Sequence, residues 1–199
     1  MSFINYETRQ IFATVVWYGP TGSGKTTTLR HVYERTRTPG AETVRVDPAP
    51  GQDAAAYEYL PLSLGEIRGH AVTFRLFTVP GAPEHASVRR ALLEHVDGLI
   101  FAADCRPDRQ QENLVSLSEL RHHLASWGFA LERMPLVIQC SFSDASDALP
   151  ATEVAAPLLS GHPSAAAVPV VGSVPPQGVG VFEALKLVAK QILTELKRG

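Results

Sequence analysis

Short apolar runs alternate with helical patterns along this chain. Ile11 to Tyr18 (IFATVVWY) predicts a buried-type strand bounded by Gly19-Pro20, and Lys25 to Arg35 predicts a helix. Residues 38–58 hold Pro39, Gly40, Pro48, Pro50 and Gly51 and read mostly as loop. Tyr59 to Leu64 and Val72 to Val79 flank Gly65 and Gly69, a hairpin pattern whose second strand ends at Pro80-Gly81. Regular alternation follows: helix from Ser87 to His95, apolar strand from Gly98 to Ala103 ending at Asp104, helix from Gln110 to Ser126. Leu136 to Cys140 and Ala167 to Val171 predict further short strands. In the last element, Val181, Leu185, Val188, Ile192 and Leu196 share one helical face.

Strand–helix units in this order predict an α/β, three-layer fold with helices on both faces of an open, mainly parallel sheet. Ligands of such sheets sit outside the carboxyl ends of the strands, where the loops after Tyr18 and Val79 fall. The length, 199 residues, suits one such domain, residues 1–199. Apolar content of 45% argues against disorder, and 18 basic against 20 acidic residues, a net charge of −2, argues against a nucleic-acid binder relying on a general basic surface. No stretch approaches the roughly 20 apolar residues of a membrane span, so no direct membrane insertion is expected. Two cysteines, Cys105 and Cys140, are too few for a disulfide scaffold and read as core or pocket lining; with no signal peptide, the expected location is cytoplasmic. His122 and His123 are adjacent on a helix and face different directions, which disfavours a metal pair.

The strongest chemical signal is Gly19-Pro20-Thr21-Gly22-Ser23-Gly24-Lys25-Thr26, a full G-x-x-x-x-G-K-[ST] string between a strand and a helix. Its glycines let backbone N–H groups approach phosphate oxygens. Lys25 supplies a charge for the β- and γ-phosphates, Thr26 a hydroxyl for Mg²⁺, and the following helix its positive end. The loop does not select a base, and it is also similar to those of secretion-type ring ATPases. Asp104 reads either as a metal carboxylate or as a polar strand terminus, whereas Thr78 stands where Ras-like GTPases commonly carry the aspartate of D-x-x-G.

Several segments together resemble the MglA family of bacterial Ras-like small GTPases: MSFINY at the start, the phosphate loop, LPLSLGEIRG (60–69), TVPG (78–81), VDGLIFAAD (96–104) and GVGVFEALKLVAKQILTELKRG (178–199). TVPG in place of D-x-x-G is itself a trait of that family. The resemblance implies a Ras-like P-loop NTPase fold with one antiparallel edge strand. It implies GTP/GDP with Mg²⁺ as ligand, an MglB-like Roadblock-domain dimer that activates hydrolysis, effectors of polarity or motility, and recruitment to cell poles. Phosphate contacts are expected from Gly19, Pro20, Thr21, Gly22, Ser23, Gly24, Lys25, Thr26, Thr27 and Gly81, and base contacts from Gln139, Ser141, Phe142 and Asp144.

Three departures bear on turnover. The family's Arg-Thr pair of the first switch falls on Asp53-Ala54, with Arg45 and Asp47 nearby. Its water-orienting glutamine falls on Ala82, followed by Pro83. The N-K-x-D motif falls on Ser141-Phe142-Ser143-Asp144, which keeps the carboxylate for the guanine N1–H and N2–H but replaces the lysine stem with an aromatic ring. Hydrolysis is therefore expected to be weak or partner-dependent; the alternative is a pseudo-GTPase scaffold that binds a Roadblock partner.

Overall fold

In the computed structural model, residues 3–5, 8–36, 44–46, 57–81 and 85–198 are described. The expectations for Asp47, Asp53, Ala54, Ala82 and Pro83 lie outside them. The strands are β1 (Phe3–Asn5), β2 (Gln10–Tyr18), β3 (Val44–Val46), β4 (Tyr57–Ile67), β5 (His70–Thr78), β6 (Gly98–Asp104), β7 (Leu136–Ser141) and β8 (Val170–Ser173). The α-helices are α1 (Lys25–Thr36), α2 (Ala86–Leu92), α3 (Gln110–Ser126), α4 (Ala151–Leu158) and α5 (Val181–Arg198).

Strict alternation along β2 divides the core in two. Val15 and Trp17 point to one face of the sheet, where α1 and α5 cover them through Leu29, Val32, Val181, Leu185, Val188 and Ile192. Val16 and Tyr18 point to the other, against Leu117, Leu120 and Leu124 of α3 and Val154 and Leu158 of α4. This is the expected three-layer arrangement. The strand order is β3-β4-β5-β2-β6-β7-β8. Five neighbours, β5, β2, β6, β7 and β8, run parallel. β4 runs against β5, and β3 adds a further antiparallel pairing at that edge. The fold class expected from the sequence holds, and β1 hairpins onto the entry of β2 as well.

Besides β1 and β3, which the sequence reading did not include, two elements differ from expectation. The last strand is Val170–Ser173, and Ala165–Ala167 forms a 3-10 turn instead of opening it. The ladder begins where Pro169 accepts a bond from Ile138 N–H (2.9 Å), so pairing with β7 overrides the apolar alanine run. α4 was not foreseen, because a short segment starting after Pro150 and containing Pro157 reads as loop. Among the described residues, no helix is long and apolar enough to cross a membrane.

Candidate functional site

The ends of β2, β5, β6, β7 and β8 point the same way, and the phosphate loop wraps over them. Gly19 packs so tightly that a Cβ there would strike the Ala102 carbonyl of β6, with its carbon only 3.1 Å away. Gly81, after β5, lies against the loop itself: a Cβ would meet the backbone of Thr21, and Pro20 C at 2.8 Å. Only glycine fits this approach between the two segments. Thr28 N–H donates to Gly24 O (2.8 Å) and opens α1 directly from the loop. The residues from Thr21 to Thr27, with Val79, Pro80, Gly81 and Phe142, line a cleft of about 330 Å³.

Lys25 is buried, and its Nζ donates to Gly19 O (2.8 Å) and Pro20 O (2.7 Å), with Ser23 Oγ at 3.4 Å. Burial, and secondarily the Arg89 charge, lower its pKa to about 7. Arg89 of α2 is itself buried; it donates to Pro80 O (3.3 Å) and pairs with Glu119 of α3 (3.1 Å). The segment leading to Gly81 is thus fastened to α3. Tyr18 and His123 lie beside this pair, joined at 3.2 Å. Burial pushes Tyr18 up to about 12 and His123 down. His123 is therefore a core histidine while His122 is exposed, so the two face different directions, as their adjacency on the helix suggested.

Of the expected site residues, the structure gathers the phosphate loop, Gly81 and Phe142 around one cleft. Thr26 is exposed in the first turn of α1, and Thr27 is half-buried beside it. Ser141 is buried at the end of β7 with no hydrogen bond to its Oγ, 3.6 Å from where a Gly24 Cβ would stand. Asp144 is exposed in the following turn.

Gln139, expected from the sequence at the base, does not line this cleft. Fully buried in β7, its oxygen accepts from Trp17 Nε1 (3.0 Å), while its nitrogen donates to Thr28 Oγ1 (3.2 Å) and Ser173 Oγ (3.0 Å). It bolts β2, α1 and β8 together beneath the loop. Asp104, which the sequence left as a metal carboxylate or a polar strand terminus, is engaged within the protein. Its buried carboxylate accepts from Arg106 Nε (3.0 Å) and Nη2 (2.6 Å), and Arg109 stands 3.7 Å away.

Sequence reasoning missed a different carboxylate. Glu58 of β4 sits opposite Thr78 in the ladder, and Thr78 Oγ1 donates to its Oε2 at 3.3 Å. An acidic group is thus present beside the D-x-x-G position, contributed by the neighbouring strand. The signal was available only as strand register. Arg106 and Arg109, which grip Asp104, were missed as well. Arg109 donates to Thr21 O (2.8 Å), fastening the start of α3 to the phosphate loop.

A parallel sheet whose central strand runs through G-x-x-x-x-G-K-T into a helix, with a second glycine segment against that loop, defines a Ras-like P-loop NTPase fold. No family model matches the chain. A curated protein, "Mutual gliding-motility protein MglA" of Myxococcus xanthus (strain DK1622), is 41% identical over 199 residues, 100% of either chain. At that identity and coverage, the chain belongs to the MglA family of small GTPases.

Proposed function

We propose that this protein binds GTP and GDP with Mg²⁺ in the cleft between the phosphate loop and Gly81 and acts as a nucleotide-dependent regulator of gliding motility or cell polarity. The observation that carries this reading is the phosphate loop: its glycine-dependent contacts, its buried Lys25 and its helix N-terminus form a ready anion cradle. The relative's name, a gliding-motility protein, supports the process.

Lys25 now satisfies its charge with the loop's own carbonyls; a phosphate would compete for that ammonium and draw it toward the ligand. The donor set fits Mg²⁺, a hard cation that takes oxygen ligands. The Thr26 hydroxyl would hold it, with the Glu58 carboxylate beside Thr78 at the D-x-x-G position. When bound, the ion neutralises charge on the β- and γ-oxygens. Phe142 and Asp144 would meet the base, Asp144 as acceptor for the guanine edge.

Hydrolysis is weak or partner-dependent in this reading, because Asp53, Ala54 and Ala82 replace the arginine, threonine and glutamine that the family resemblance expects. A Roadblock-domain dimer is the partner, the working compartment is the cytoplasm with recruitment to cell poles, and the chain acts as a single domain. The second reading, a pseudo-GTPase scaffold without effective turnover, draws on Ala82, whose methyl cannot orient a water. Titration with GTP, GDP and ATP in Mg²⁺, followed by single-turnover hydrolysis with and without a Roadblock protein, separates the two. Binding without partner-stimulated turnover supports the scaffold. Loss of all nucleotide affinity in Lys25→Ala is expected, and unchanged affinity would remove the cleft from consideration.

A further inference from the structure

The carbonyls of the phosphate loop are held in two different ways. Those of Gly19 and Pro20 turn to Lys25, inside the loop. That of Thr21 is held from beyond the loop, by Arg109 Nη2 at 2.8 Å. Arg109 ends the 3-10 turn Pro107–Arg109 that leads into α3. It lines a cavity of about 360 Å³ bordered by Pro20, Thr21, Gly81 and one face of α3, and it takes no part in lining the phosphate cleft. The guanidinium thus approaches Thr21 from outside that cleft.

Two carboxylates aim the guanidinium. Glu112, one turn along α3, pairs with Nη1, and Asp104 stands 3.7 Å from Nε. Asp104 is fixed in its turn: Arg106 grips both its oxygens, and Asn113 of α3 bonds its backbone N–H and C=O, each at 2.9 Å. The planar fork therefore presents Nη2 to Thr21 in a set direction. The Thr21–Gly22 peptide is trans, so its C=O and N–H point in opposite directions. Holding the carbonyl toward Arg109 turns the Gly22 N–H the other way, toward the cleft that Gly22 lines and Arg109 does not. That N–H meets no hydrogen-bond acceptor among the described residues. Gly22 has φ of 79°, which neither Thr21 nor Ser23 shares, and this alternation of hand turns successive N–H groups into an anion-binding concavity.

We infer that Arg109 is a positioning residue for phosphate binding: by pinning the Thr21 carbonyl outside the cleft, it aims the Gly22 N–H at a phosphate oxygen within it. This rests on the reading above that the cleft takes a nucleotide. Arg109 acts through one peptide plane and touches no phosphate itself. A donor already fixed in place needs no reorganisation when the anion arrives. Without Arg109 the peptide plane is released, and the partial negative charge of Thr21 O can swing toward the phosphates and repel them.

The test uses the full, ¹⁵N-labelled chain with Mg²⁺, titrated with GDP and with pyrophosphate while the Gly22 amide is followed by NMR. In the wild type, ligand should move the Gly22 amide proton downfield, as a hydrogen bond to an anion does. Arg109→Ala should weaken both probes by a similar factor, about tenfold, and abolish that shift. Arg109→Lys, which keeps the charge but not the fork, should recover part of each. Arg121→Ala removes another α3 arginine, one whose partners are Glu132 and Leu158 O, and should leave both affinity and shift as in the wild type. Unchanged affinity in Arg109→Ala overturns the inference. So does weaker binding with the wild-type Gly22 shift intact, which is the signature of a general structural or charge effect. Should the alanine variant not fold, Arg109→Lys decides: weaker binding with a smaller Gly22 shift supports the inference, and wild-type affinity or shift overturns it. A wild type that binds neither probe overturns the nucleotide reading, and this inference with it.

Discussion

Lys25 carries the most consequential electrostatics in the molecule. Burial holds its pKa at about 7, well below the ordinary lysine value of 10.5. Between those two values the unfolded chain binds more protons than the unliganded folded one, so unliganded stability rises with pH across that window. Phosphate binding requires the charged form, so binding takes up a proton wherever the free lysine is neutral. Nucleotide affinity should therefore fall as pH rises above about 7, and calorimetry in buffers of different ionisation enthalpy should report net proton uptake. Glu58 gives a second residue-scale prediction. Glu58→Gln keeps the contact to Thr78 but removes the charge, and should raise the Mg²⁺ concentration needed for tight GTP binding by about tenfold or more. Nucleotide affinity in chelator should be unchanged. The two residues differ in legibility. Lys25 lies in a contiguous string whose spacing dictates the loop, whereas Glu58 acquires its role only by lying across the ladder from Thr78.

At the scale of elements, the site is assembled by strand ends and fastened from below. Gln139 bonds β2, α1 and β8 from one side chain, with both ends of its amide satisfied. Gln139→Ala would strand the Trp17 indole N–H in the core and remove the amide donor from Thr28 Oγ1 and from Ser173 Oγ, which keeps its bond to Val179 O. Stability should drop by about 1–3 kcal/mol in denaturant unfolding, and nucleotide affinity should fall less than in Lys25→Ala. The apolar strands were readable because their runs are uninterrupted between glycine and proline boundaries. β8 was displaced in the reading because its last two residues, Gly172 and Ser173, carry no apolar signal, and its limits come from pairing with β7. Asp104 shows the same limit in side chains. Its position at a strand end was legible, but its engagement by Arg106 and Arg109 depends on how the following turn folds back.

For the whole molecule, one sheet with two apolar faces supports a loop whose ligand binds only the native state. Ligand binding then adds stability by mass action. GDP at about a hundredfold over its Kd should raise the melting temperature by ~5–10 °C for a domain of this size. Lys25→Ala should lose that shift while melting close to the unliganded wild type, as followed by thermal denaturation with and without GDP.

By itself, the sequence determined the alternation of the central strands and helices, the phosphate loop and the family. Each of these is written in local spacing or in contiguous strings, and local spacing survives without knowledge of the fold. The tertiary structure alone decided which partners these polar groups find. It withdrew Gln139 into the core, tied Asp104 to two arginines, brought Glu58 to Thr78 and set Arg106 over Phe142. Hydrogen bonds reach only about 3 Å, so partners far apart along the chain become legible only when the sheet brings their strands together.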